Sequence, residues 1–259
     1  MTIQNTVLDF YRCLDELAPF STQLSWDNSG LLVGDFSQQV HTCVLALDVT
    51  EAVVPFAKEH DAQLIVTHHP VIFGAIRNVT AEGLVWRLAR ENISVISAHT
   101  NLDLAEGGVN DALAGALCLQ NIRPFENEDG LGRIGELPEK MEPSVFAGYV
   151  RERLGSRSDI AFTKHDTVRS VAVVGGAGGD YLQAAALCGA DAYLTGELRH
   201  HEWMAAQSLP ISVCTAGHYA TEAVVLPALL SRFEQRFPET AFLLCESTEV
   251  SYFGREGSS

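Results

Sequence analysis

The sequence predicts an α/β fold of two halves, each built on a mostly parallel sheet, and three observations carry that reading. From His41 onward, short β-branched runs alternate with longer helical patterns, the signature of βαβ units. A segment rich in Gly, Pro and charge, from Asn121 to Glu142, interrupts that rhythm. On either side of it stand two related stretches, ISVISAHTNLD and ISVCTAGHYATE.

Taken in order, the chain opens with MTIQNTVLDFYRCLDELAPF, whose apolar residues recur at helical spacing and predict an amphipathic helix. Asp9, Asp15 and Glu16 stand where a secretory leader would need a basic start and an unbroken apolar run. WDNSGLLVGD follows, either a turn shaped by Asn28 and Gly30 before a strand or the wall of a pocket. HTCVLALD, QLIVT and ISVISAH read as strands, and TEAVVPFAKEH, AEGLVWRLAREN and GGVNDALAGALCL as the helices between and after them. These complete a first half, residues 1–125, and the Gly/Pro-rich segment marks the boundary.

The second half, residues 126–259, resumes with SVFAGYVRERLG, RSVAVVGG, DYLQAAALCG and DAYLTG. A helix around HHEWMAAQ, the strand PISVCTAGH, a long helix TEAVVLPALLSRFEQRF and a last strand AFLLCES complete it. Only the tail from Arg255 to Ser259 is expected to lie outside the fold. Trp86 and Trp203 lie in helical patterns and are expected in the core or at a subunit contact.

With 259 residues, 47% of them hydrophobic and 19% charged, the chain can bury a full core. A formal net charge of -16 repels phosphate backbones, and no basic patch offsets it, so nucleic acid is not an expected partner. Cys13, Cys43, Cys118, Cys188, Cys214 and Cys245 form no C-x-x-C pair, and they read as buried thiols of a reducing compartment. No apolar run reaches the roughly 18 residues that a bilayer span requires. A cytoplasmic protein with no membrane partner is expected.

The two related stretches each put a His just past the C-terminal end of a strand and a carboxylate four residues later: His99 with Asp103, and His218 with Glu222. His68 and His69 follow QLIVT directly, and Pro70 stops that strand. Open parallel sheets bind ligands at this edge. Imidazole is the commonest metal ligand, and carboxylates let two divalent ions sit side by side. His68, His69, Asp103, His218 and Glu222 therefore form a candidate di-metal set at strand C-termini between the halves. Lacking thiolate, it suits Zn, Fe, Mn, Co or Ni.

His99, four residues before Asp103, could orient that carboxylate, contact a substrate or move a proton. TGELRHHE brings Glu197, His200, His201 and Glu202 toward the corresponding edge of the second half, as supports of the site or as a solvated helix start. VVGGAGGD, with Gly175, Gly176, Gly178 and Gly179, could offer N–H groups to a phosphate or simply make a tight strand-to-helix turn.

Together, WDNSGLLVGD, LALDVTE, VTHHPVIFG, SAHTNLDLAEGGVNDALA, GADAYLTGELRHHE and GHYATE resemble the Nif-three-like family, whose members are often named GTP cyclohydrolase 1 type 2. The resemblance runs from Trp26 to about Glu222. It implies that two divalent metals are held by His68, His69, Asp103, His218 and Glu222, no ligand position being substituted. It also implies a hydrolase that acts on GTP or a related small molecule through metal-activated water, or else a non-catalytic metal-binding scaffold or regulatory interaction protein. A homo-oligomer, a ring-like hexamer, is the implied assembly. Longer relatives carry an inserted middle domain, in whose place this chain has only the short segment after Asn121. Five ligands divide thinly between two ions, so Glu222, with two carboxylate oxygens, is expected to bridge them. Glu222 and His99 are the candidate catalytic residues.

Overall fold

The computed structural model describes residues 5–162 and 164–246, and the expected alternation of strands and helices runs through them. Helix α1 (Val7–Leu17) starts at a capping box in which the Thr6 amide donates to Asp9 Oδ2 at 2.8 Å. There follow β1 (Gly30–Val33), β2 (Thr42–Ala46), α2 (Val53–Glu59), β3 (Leu64–Thr67), α3 (Leu84–Arg90), β4 (Ser94–Ser97), α4 (Thr100–Leu104) and α5 (Val109–Ala116). Next come β5 (Gln120–Pro124), β6 (Arg133–Met141), α6 (Pro143–Leu154), β7 (Asp159–Ala161), β8 (Val168–Val174), α7 (Leu182–Leu187), β9 (Ala192–Thr195) and α8 (His200–Ala206). β10 (Ser212–Thr215), α9 (His218–Glu222), α10 (Leu226–Arg236) and β11 (Ala241–Leu244) close the described chain. The tail from Arg255 to Ser259 lies outside the described residues.

Two sheets result. The first has the order β1-β4-β3-β2-β11, and only its edge strand β1 is antiparallel to its neighbour. The second has the order β5-β6-β8-β9-β10-β7. Its centre, β8, β9 and β10, is parallel, but its flanks are antiparallel. The expectation of mostly parallel sheets therefore holds for the first and needs correction for the second. The reason lies in the segment from Asn121 to Glu142, which is a hairpin rather than an interruption. Too short to hold a crossover helix, the link from β5 to β6 can only turn back, and Gly130 and Gly132 supply the positive φ that it needs.

Chain order and sheet membership part company near residue 125 and again at the last strand. β5 precedes residue 125 yet pairs with β6, and β11 returns to pair with β2. Apolar packing explains the return. Phe233 of α10 and Phe237 just beyond it join Phe10 of α1 in one buried cluster, the Phe10 and Phe237 rings stacking at 4.1 Å. The long helix expected from Thr221 is also broken: α9 ends at Glu222, a 3-10 turn covers Ala223–Val225, and α10 restarts with Pro227 in its first turn. Proline has no N–H to continue the ladder but fits a helix start.

Among the described residues no helix is long and apolar enough to cross a membrane. All six cysteines are free thiols, with Cys13, Cys43 and Cys214 buried and Cys118 exposed. Trp203 packs half-buried against a core cluster, whereas Trp86 is exposed.

Candidate metal centre

The parallel strands of each sheet end in register. Ala46, Thr67 and Ser97 are paired neighbours at the edge of the first sheet, and Val174, Thr195 and Thr215 at the edge of the second. Each strand then releases a short loop: β3 into His68 and His69, β4 into His99 and α4, β10 into α9. The two edges meet, because His69 Nε2 of the first lies 3.0 Å from Glu222 Oε2 of the second. His68, His69, His99, Asp103, His218 and Glu222 all come to this one place.

Glu222 stands at its centre. Its Oε1 faces His68 Nε2 at 3.9 Å, and His68 Nε2 lies 3.6 Å from Asp103 Oδ1. On the other side, Oε2 faces His69 Nε2 at 3.0 Å and His218 Nε2 at 3.1 Å. The carboxylate thus has His68 against one oxygen and His69 and His218 against the other, with Asp103 beyond His68. The adjacent rings of His68 and His69 lie 4.9 Å apart, on the same side rather than on opposite faces, because the strand has ended at Thr67.

What fixes the imidazoles is a second set of groups. Each of the four presents Nδ1 to an oxygen: His68 to the Ala98 carbonyl at 2.9 Å, His69 to Asp48 at 2.8 Å, His99 to Asp27 at 2.8 Å and His218 to Glu197 at 3.1 Å. With Nδ1–H donating outward, Nε2 keeps its lone pair for the centre, the arrangement that metal-binding histidines use. Two polar atoms here are buried without a hydrogen-bond partner: His68 Nε2 and Glu222 Oε2, whose short contacts to His69 and His218 lack hydrogen-bond alignment. An orphaned imidazole nitrogen beside an orphaned carboxylate oxygen fits a divalent cation. His69, His218 and Glu222 form one group whose ligand atoms could share an ion, and His68, His69 and His99 form another.

Electrostatics follow from this crowding. Complete burial pushes His68 down to about 4, against the pull of Glu222. For His69 burial acts the same way, but Asp48 and Glu222 outweigh it and raise it to about 10. Contact with Glu222 raises His218 to about 9. Burial and the neighbouring Glu222 hold Asp103 well above the usual carboxylate range. Glu222 goes the other way: burial opposes its charge, yet His218 and His69 keep it ionised.

Three supporting residues were not singled out from the sequence. Asp48 and Asp27 lie far from the His they hold, in LALDVTE and WDNSG, and nothing local marks them. The Asp27 side chain is fully buried and also accepts from the Thr100 amide and hydroxyl at 3.0 and 2.6 Å. Asn110 donates to the Asp103 carbonyl at 3.0 Å and accepts from the Gly175 amide at 2.9 Å, stitching the two edges together. Of the TGELRHHE residues, Glu197 supports His218, whereas His200 and His201 are exposed and Glu202 caps α8 through the Arg199 amide at 2.6 Å.

The glycine-rich turn is spent on the protein itself: the Gly176 amide donates to Thr221 Oγ1 at 3.0 Å and the Gly178 amide to Thr195 Oγ1 at 2.9 Å. Gly176 has a φ of +63°, and a Cβ there would stand 2.1 Å from Glu222 Oε1, so only glycine lets the turn approach the centre. A cleft of about 920 Å³ opens over the site, lined by Trp26, Phe73, His99, Asp103, His218 and Glu222 among others.

The sequence model of the Duf34/NIF3 (NGG1p interacting factor 3) family matches residues 5–250. A protein of Clostridium perfringens named GTP cyclohydrolase 1 type 2 homolog is 31% identical over 88% of this chain and 91% of its own length. One of the same name from Streptomyces coelicolor is 37% identical over 81% of this chain and 79% of its own. Among solved structures, a hypothetical protein of Staphylococcus aureus superposes with a TM-score of 0.87 at 27% identity, covering 96% of this chain and 98% of that one.

Proposed function

The chain belongs to the Duf34/NIF3 (NGG1p interacting factor 3) family, and from that premise we propose that it is a divalent-metal-dependent hydrolase of a small organic molecule. The observation that carries the reading is the pair of buried, unpartnered atoms, His68 Nε2 and Glu222 Oε2, among imidazoles whose Nδ1 atoms are already committed. His68, His69, Asp103, His218 and Glu222 would hold the ions, Glu222 lying between His68 on one side and His69 and His218 on the other. When bound, such a pair supplies a Lewis acid and lowers the pKa of water toward neutrality.

The chain's own residues do the rest. Asp48, Glu197 and the Ala98 carbonyl hold three imidazoles in the orientation that leaves Nε2 available. His99, oriented by Asp27 and lining the cleft, is the group proposed to accept or return a proton at the reacting atom. The names of the relatives point to a molecule carrying a purine ring, a nucleotide or a related small molecule, which would be opened at its imidazole ring with release of formate.

The test is turnover. Protein loaded with Zn, Mn, Fe, Co or Ni is incubated with GTP and a panel of nucleosides, nucleotides and phosphoesters, and products are identified by mass. A hydrolase gives metal-dependent product that vanishes in His68→Ala. Metal binding without product across the panel would favour a metal-binding scaffold instead.

A further inference from the structure

On the reading that the site is a metal-dependent hydrolase, we infer that its cleft receives a flat heteroaromatic molecule that is uncharged or cationic, and rejects one bearing a polyphosphate tail. Three features of the lining support this.

First, Trp26 and Phe73 form an aromatic wall beside the centre. Their ring centroids are 5.9 Å apart, and each stands edge-on to His99 at 6.0 and 6.2 Å. Both are more than half exposed, at 57% and 59%. Large aromatic side chains left in water beside a polar floor offer a face on which a planar ring can stack.

Second, apart from the imidazoles, the charged side chains of the lining are all acidic. Glu126, Glu128, Asp129 and Asp180 join Asp103 and Glu222, and among the described residues that line the cleft there is no Lys or Arg. Arg199, from outside the lining, reaches Asp180 at 3.1 Å, and the Tyr181 hydroxyl donates to Asp129 at 3.0 Å. Glu126 and Glu128 remain exposed. A ring seated on the aromatic wall would send a triphosphate past these carboxylates, where like charges repel.

Third, the glycine-rich turn that could cradle phosphate has no amides to offer from Gly175, Gly176 and Gly178, which donate to Asn110, Thr221 and Thr195. At the floor, the unpartnered Glu222 Oε2, in a residue only 5% exposed, calls for a cation or a hydrogen-bond donor.

A matched series at mildly acidic pH isolates charge from shape: guanosine is neutral, 7-methylguanosine mostly cationic, its N1–H still in place, and GTP polyanionic. Affinities for Mn-loaded protein are measured by calorimetry at an ionic strength of about 0.01 M, where charges act over about 30 Å. Binding should strengthen from GTP to guanosine to 7-methylguanosine, with GTP at least about tenfold weaker than guanosine. Neutralising the rim by combining Glu126→Gln, Glu128→Gln and Asp129→Asn should raise GTP affinity by about tenfold, and Trp26→Ala should weaken guanosine by about tenfold.

GTP binding more tightly than guanosine, as it would if its phosphates sat on the metals, overturns the inference. So does a rim variant that leaves GTP unchanged, or a failure of both nucleosides to saturate at millimolar concentration. Titration with Mn alone separates this from the hydrolase reading, which fails if wild type binds no Mn or if His68→Ala binds it equally well. The order of the ligand affinities decides the cleft in either case.

Discussion

Glu222 is the residue on which the centre turns, and its geometry yields a sharp expectation. Because one carboxylate oxygen faces His68 and the other faces His69 and His218, Glu222→Gln should depress metal occupancy at two positions. His68→Ala, removing a group from one side only, should empty mainly one. Metal analysis of the purified variants, with anomalous scattering at each position, distinguishes them. Loss of a single ion in Glu222→Gln, the other staying fully bound, would show that the carboxylate does not bridge. Gly176 explains why such a residue fits: with no Cβ, its backbone passes where a side chain would strike Glu222.

At the scale of elements, α10 ties the end of the chain to its beginning. Phe233 is fully buried, stands edge-on to Phe10 of α1 at 5.7 Å and stacks on Phe242 of β11 at 5.9 Å. Truncating it leaves a cavity where α10 and β11 meet α1 from the opposite end of the chain. Phe233→Ala should therefore cost about 3–5 kcal/mol of stability, read from the shift of the denaturation midpoint. A cost under about 1 kcal/mol would mean that α10 and β11 are not integral to the first core. The break before α10 follows from Pro227, which the apolar periodicity of TEAVVLPALLSRFEQRF concealed but a closer weighting of proline would have located.

Across the whole molecule, the centre joins candidate ligands from both sheets, so metal binding, as proposed, should stabilise the protein as one unit. Free metal at about 100 times its Kd contributes about 2.7 kcal/mol, and a chelator should remove it. The gain depends on pH with a definite sign. His69, raised to about 10, and His218, raised to about 9, carry protons at neutral pH when no metal is bound, and a metal must displace them. As pH rises from 7 toward 9 fewer protons oppose binding, so the rise in Tm on adding Zn should grow. A metal-induced shift that is flat or shrinks over that interval would contradict these protonation states.

The sequence by itself determined the α/β class, the central alternation of strands and helices, and the family. It also determined which side chains gather at the strand ends. A strand run fixes where its C-terminus falls, so His68, His69 and His99 could be assigned to that edge of the first sheet and His218 to that edge of the second without knowing how the sheets pack. Tertiary structure alone decided the rest. The return of β11 to β2 and the aromatic wall of Trp26 and Phe73 depend on contacts between residues remote in the chain. Asp27 is 72 residues from His99, and Asp48 is 21 from His69. No local periodicity marks a carboxylate that does its work across such a gap, because its role is set by the ring that it meets and not by its neighbours in sequence.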